Sequence, residues 1–169
     1  MPDPLILTLA FDPAAQGRLD ALRLAHFPDR GYRLPAHLTL FHKLPGEEIA
    51  AIDARLRDQA ARTPPIPLRV TRVLDFAPGA AYRMESAPLA SLRADLAEAW
   101  SDWLSPQDRQ GFRPHVTIQN KVRKDESVHA ALAAAFTPHA VTGTALRLWH
   151  YRGGPWEEAG TYALSGGME

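Results

Sequence analysis

Apolar positions in this chain recur in two rhythms. Leu5–Phe11 is an apolar run interrupted only by Thr8, the pattern of a buried strand. Asp12-Pro13 then supplies an N-cap and a first-turn proline for a helix to about His26, with Leu19 and Leu22 facing inward. A polar loop over residues 28–35 leads to a second strand, His37–Leu44, closed by Pro45-Gly46. Glu47–Arg62 places Ile49, Ile52, Leu56 and Ala60 on one stripe of a helix, which Thr63-Pro64-Pro65 ends.

The alternation then repeats. Ile66–Phe76 and Ala81–Glu85 read as strands joined around Pro78-Gly79, and Ser86 begins a helix with Leu89, Leu92, Leu96, Trp100 and Trp103 at helical spacing. Both tryptophans are assigned to the core rather than to a stacking platform. After a polar loop, Ser105–Pro114, come a strand His115–Val122, a short helix from Asp125 to about Phe136 with Val128 and Leu132 inside, and a hairpin of Ala140–Tyr151 and Trp156–Leu164. The order is one α+β unit of about eighty residues written twice, with repeats at about 1–80 and 81–169. Two lobes facing each other across a cleft are expected, intimate enough to count as one domain.

Composition narrows the function. Nineteen basic and nineteen acidic residues cancel, so the chain lacks the basic excess that drives sequence-independent binding to nucleic-acid backbones. A small substrate or a single RNA end fits better. The absence of cysteine removes disulfides, thiolate nucleophiles and cysteine metal sites. The first residues carry no basic n-region, and no run of about eighteen apolar residues exists, so a soluble cytoplasmic protein without membrane association is expected, acting as a monomer.

The repeat also carries chemistry. Pro-Ala-His-Leu-Thr-Leu at 35–40 parallels Arg-Pro-His-Val-Thr-Ile at 113–118, and a lysine follows each histidine by six positions, at Lys43 and Lys121. On a strand, residues two apart share a face, so His37 and Thr39 point one way and Leu38 and Leu40 the other, as do His115/Thr117 and Val116/Ile118. Cleaving or forming a ribose phosphodiester needs one group to take a proton from the attacking oxygen and another to protonate the departing one, and histidine does this near neutrality without modification. Each threonine hydroxyl lies about 6.6 Å further along its strand and can donate to a phosphoryl oxygen. One His-x-Thr is a weak signal; two, each on a strand, preceded by proline and equivalently placed in a repeat, point to an acid/base pair.

These motifs, with Phe112-Arg113-Pro114 ahead of the second and 78 positions between the histidines, resemble the two-histidine (2H) phosphoesterase superfamily, in its bacterial 2′-5′ RNA ligase or RNA 2′,3′-cyclic phosphodiesterase branch. The resemblance covers nearly the whole chain. It implies a pseudo-two-fold fold with antiparallel sheets lining a central cleft and helices outside, metal-independent chemistry without a cofactor, catalytic His37 and His115, and substrate contacts from Thr39 and Thr117. The chain departs from the commonest ligase-like pattern just after the motifs, where Phe41-His42-Lys43 and Gln119-Asn120-Lys121 replace the arginine often found close behind the second motif.

Further substrate contacts are expected from Lys43 and Lys121, whose parity suits the reactive face, and from Arg113, with Arg33 a weaker candidate. Phe41 shares parity with His37 and Thr39 and is the foremost stacking candidate, ahead of Tyr32, Tyr82 and Trp149. His26, His42, His129, His139 and His150 show no metal-ligand spacing and receive no role; parity turns His42 away from the cleft. Nucleotide-cofactor glycine loops and Gly-x-Ser-x-Gly are absent. The expected function is hydrolysis of a 2′,3′-cyclic phosphate on an RNA end or small nucleotide. Alternatives are the reverse 2′-5′ ligation, a nucleotide- or RNA-binding protein with little turnover, and a structural interaction module.

Overall fold

The computed structural model describes residues 2–29 and 34–167. Among them are β1 (Leu5–Phe11), α1 (Pro13–His26), β2 (Leu38–Leu44), α2 (Ile49–Arg62), β3 (Ile66–Asp75), β4 (Ala80–Glu85), α3 (Ala87–Ala99), β5 (His115–Gln119), α4 (His129–Ala135), β6 (His139–His150) and β7 (Glu157–Ala163). Local chemistry sets several boundaries. Asp12 accepts from the Ala15 amide at 3.0 Å, capping α1, and from the Thr142 amide at 3.0 Å, pinning that helix to β6. Ser86 does the same for α3, accepting from the Leu89 amide at 3.2 Å while its hydroxyl donates to the Pro67 carbonyl at 2.7 Å.

Every ladder is antiparallel, in the order β1-β2-β5-β4-β3-β6-β7, and β1 also pairs with β6. The first six strands therefore close into a barrel, with β7 on the outer edge of β6. Exchanging β1 with β4, β2 with β5 and β3 with β6 leaves the barrel's ladders unchanged, so the pairing itself has the expected two-fold character. The antiparallel sheets expected on two lobes are halves of one continuous sheet. Because β1 has partners on both edges and is covered on both faces, Leu5, Ile6, Leu7, Thr8 and Leu9 are all buried, and the run does not alternate. The inward stripes of α2 (Ile52, Leu56, Ala60) and α3 (Leu89, Leu92, Leu96) complete the core, and Trp100 is buried in it as expected.

Three features of the structure differ from the sequence expectation in ways that bear on the site. β5 stops at Gln119 instead of Val122, since Lys121 adopts a left-handed φ of 57° that no strand tolerates. The helix expected from Asp125 is a single 3-10 turn at Lys124–Glu126, and α4 starts only at His129. Gln119, itself buried, donates to the Glu126 carbonyl and accepts from the Val128 amide, both at 2.9 Å, using groups that a continuous helix would pair internally.

The third difference matters most for the site. Along β1, Thr8 faces Thr39 but Leu7 faces Phe41, so β2 carries an extra residue at Leu40. Arg93 of α3 donates from Nε to the Leu40 carbonyl at 2.9 Å, and Asp108 accepts from the His42 and Lys43 amides at 2.8 and 2.9 Å. These two side chains, both buried, satisfy the backbone groups that the bulge takes out of the ladder. From Phe41 the parity of β2 is reversed, until a second register shift before Leu44 restores it. No helix among the described residues is long and apolar enough to cross a membrane.

Candidate active site

β2 and β5 meet at Leu38 and Val116, both fully buried. Continuing that antiparallel register sets His37 opposite Thr117 and Thr39 opposite His115, all four on the face turned away from Leu38 and Val116. Each histidine thus has the other motif's threonine as its cross-strand neighbour. The two histidines are diagonal neighbours, about 7–8 Å apart at Cα.

The imidazoles are held alike. His37 Nδ1 donates to the Pro35 carbonyl and His115 Nδ1 to the Arg113 carbonyl, each at 2.7 Å. A carbonyl only accepts, so Nδ1 carries the proton in both rings and Nε2 is the nitrogen that exchanges one. His139, away from this face, makes the same contact with the Thr137 carbonyl at 2.8 Å, so the bond orients a ring without marking a site by itself.

A cleft of about 800 Å³ opens over His37 and Thr117. Trp156 stands over the His37 ring with centroids 4.7 Å apart, and Phe76, which is exposed, meets the His115 ring edge-on at 6.1 Å. Both aromatics follow equivalent strands, β6 and β3, so each imidazole has one aromatic flank. Burial pushes the His37 pKa down to about 4; the Pro35 hydrogen bond opposes this, and the positive charges of Arg23, His115 and His42 add to it. His37 is therefore neutral near pH 7.

Arg23 of α1 lines the same cleft, 6% exposed. It donates from Nη1 to the Thr117 carbonyl at 2.7 Å and lies 4.2 Å over the Phe27 ring, while its Nε has no hydrogen-bond partner among the described residues. Burial lowers its pKa, and Asp20 partly restores it. A buried guanidinium beside the second threonine brings positive charge to the cleft wall.

The residues singled out in the sequence divide sharply. His37, Thr117 and Lys121 line the cleft; Thr39 and His115 share its sheet face beyond the cleft wall. Lys43 and Arg113 have exposed side chains outside that wall and reach the site through their backbone, Lys43 by its amide to Asp108 and Arg113 by its carbonyl to His115. Phe41 is a correction: the bulge puts it in the core, fully buried, edge-on to Trp100 at 5.3 Å with the Arg93 guanidinium 4.1 Å above it. His42 is the matching correction, since the same bulge turns it into the cleft. Trp149 is buried with its indole donating to Thr8 Oγ1 at 3.0 Å, and Tyr82 packs on Phe136. Tyr32 and Arg33 lie outside the described residues. Sequence reasoning missed Arg23, Trp156 and Phe76. For Arg23 a signal existed: it continues the inward stripe Ala15, Leu19 at four-residue spacing. Among the described residues no group of three or more His, Asp or Glu side chains converges to hold a metal ion.

Comparison with known proteins gives a consistent picture. A model of the 2′-5′ RNA ligase superfamily matches residues 11–155. Two curated relatives with provisional phosphoesterase names, from Bacillus licheniformis and Bacillus pumilus, are 30% and 33% identical over 102 residues, 58% of this chain. The match spans 60% of each relative's own length. A protein from Thermus thermophilus superposes with a TM-score of 0.61 at 17% identity over 96% of this chain and 98% of its own. Escherichia coli LigT, complexed with NADP+, does so with a TM-score of 0.60 at 17% identity over 98% and 99%. At such identities the likeness is one of fold.

Proposed function

The chain belongs to the 2′-5′ RNA ligase superfamily, among the two-histidine phosphoesterases, and from that membership and the geometry of the cleft we propose that it opens 2′,3′-cyclic phosphates on RNA ends or small nucleotides. The observation that carries the reading is the crossing at Leu38 and Val116, whose register puts the two His-Thr pairs on one sheet face with both Nδ1 atoms held by carbonyls. Neutral His37 takes a proton from water at Nε2 as the water oxygen attacks phosphorus. The bond from phosphorus to the ribose 3′-oxygen breaks, His115 protonates that oxygen, and a 2′-monophosphate leaves. Thr39 and Thr117 donate to the non-bridging oxygens as charge builds there, with Arg23 and Lys121 offsetting the phosphate's charge. Trp156 and Phe76 offer π-faces for the bases on either side.

Crystal structures of Escherichia coli LigT with 3′-AMP, phosphate, ATP and NADP+ support a nucleotide ligand. The size of the cleft favours a second reading, in which a 5′-hydroxyl replaces water as the nucleophile and the reaction yields a 2′-5′ linkage, with His37 again the base and His115 again the acid. In either direction the reading takes the protein as a cytoplasmic monomer that needs no cofactor. The test is incubation with 2′,3′-cyclic nucleotides and with an RNA oligomer ending in a cyclic phosphate, EDTA present, and chromatographic separation of 2′- from 3′-phosphate products. Release of the 2′-phosphate supports the assignment; an inert protein, or a reaction that EDTA stops, contradicts it.

A further inference from the structure

Asp108 is 2% exposed, and its carboxylate takes three N–H contacts: the His42 amide at 2.8 Å, the Lys43 amide at 2.9 Å and the His42 ring Nδ1 at 3.2 Å. Burial pushes this carboxyl up, but the donors outweigh it and hold its pKa below the usual carboxylate range. The two amides alone would serve the bulge. The third contact is to a side chain that is 44% exposed and lines the cleft. A carboxylate only accepts, so Nδ1 of His42 carries its proton, and Nε2, on the far side of the ring, is the nitrogen left for the cleft.

We propose that His42, fixed by Asp108, contacts the substrate by receiving a second phosphate, one not involved in the reaction. This rests on the nucleotide reading above and narrows its substrate to nucleotides phosphorylated at a further position. An imidazole between a carboxylate and a phosphate donates at both nitrogens, and each bond is charge-assisted. A neutral base edge or a sugar hydroxyl would gain little from a buried carboxylate behind the ring, whereas an anion gains most. Backbone spacing sets His42 apart from the reacting phosphate. From Leu38, at the crossing of the two histidine pairs, to His42 is four residues, with an extra residue at Leu40 and a second register shift before Leu44, so about two to three strand steps or about 7–10 Å along the backbone. A phosphate on the other side of the same ribose, or on the adjoining nucleotide, lies in that range. Gln107, next to Asp108, lines the same cleft and adds an amide.

The test is calorimetric titration of adenosine 2′-monophosphate and adenosine 2′,5′-bisphosphate into the wild-type protein and His42→Gln, read as the ratio of the two affinities. Glutamine keeps a donor and similar size but cannot carry the charge. The wild type should prefer the bisphosphate about ten-fold, and His42→Gln should reduce the preference to about two-fold. A merely structural role would weaken both ligands alike and leave the ratio intact, which overturns the proposal, as does a wild type without preference. Turnover of 2′,3′-cyclic AMP, measured alongside, separates the two readings. Turnover without a bisphosphate preference removes the second-phosphate site and keeps the hydrolase. A His42-dependent preference without turnover keeps the site and removes the hydrolase. Failure of both ligands to bind, with no turnover, removes both.

Discussion

Replacing Arg93 with methionine removes the side chain that holds the β2 bulge from the helix side. Arg93 is 8% exposed and donates to the Leu40 carbonyl at 2.9 Å and the Asp108 carbonyl at 2.8 Å. Its guanidinium lies 4.1 Å over Phe41 and 5.4 Å from Phe112. A hydrogen bond from a charged donor contributes about 1.5–3 kcal/mol, and both carbonyls are left without this partner once it is gone. Against this, burial already penalises the arginine, as its lowered pKa shows, and a methionine thioether recovers about 0.3–1.5 kcal/mol against the aromatic rings. The net loss should be about 3 kcal/mol, a fall of roughly 6–12 °C in Tm for a domain of this size. Arg93→Lys should recover less than half, because one ammonium cannot bridge two carbonyls as the planar fork does. Urea denaturation followed by circular dichroism gives the number. A loss below about 1 kcal/mol for Arg93→Met would mean that the bulge stands without Arg93, and the reason given for the reversed parity of β2 would be wrong.

Other consequences are as specific. Folded His37 titrates at about 4 against 6.5 for the free side chain, so between those values only the unfolded chain carries the proton. Stability should therefore rise with pH across that window; the penalty, at most about 3 kcal/mol, is full below pH 4 and absent above 6.5. His37→Asn should flatten the slope, and an NMR titration midpoint above 6 for His37 would refute the burial argument. Gly79 has φ +100°, and an added Cβ would lie 2.2 Å from the Gln119 carbonyl oxygen, so Gly79→Ala should cost about 2 kcal/mol or more in urea denaturation. Gly17, within α1 with nothing near its Cβ position, should by contrast gain about 0.5–1 kcal/mol as alanine. A neutral Gly79→Ala would sink the steric reading of that turn. Trp156→Ala and Phe76→Ala should each raise KM for a cyclic nucleotide about ten-fold with little change in kcat, since a stacked base contributes about 1–3 kcal/mol; a fall in kcat alone would show that the rings act on the imidazoles rather than on the base.

What could be read from the residues depended on how local its cause was. The α2 stripe and the Asp12 and Ser86 caps follow from spacing and side-chain chemistry within a few residues, and the structure shows them where expected. The faces of His37-Leu38-Thr39 and His115-Val116-Thr117 follow from three-residue parity, which holds in both strands. Parity failed at Phe41 and His42 because the bulge is held by Arg93 and Asp108, which are 53 and 66 positions away from the groups they bond. Nothing near residue 41 announces them. The late start of α4 has a similar origin in Gln119, and closure of the sheet through β1 and β6 depends on a pairing between the two ends of the chain. Arg23 was legible in principle, as a charged residue on an inward stripe.

The central claim is that His37 and His115 act together on one phosphodiester. Its most direct test is turnover of 2′,3′-cyclic AMP by the wild type, His37→Gln and His115→Gln, each verified as folded by its melting curve. Two acid/base groups serving one reaction predict a loss of at least 10²-fold in kcat for either single variant and little further loss in the double variant. Activity surviving in either folded single variant, or losses that multiply in the double variant, would contradict a paired mechanism.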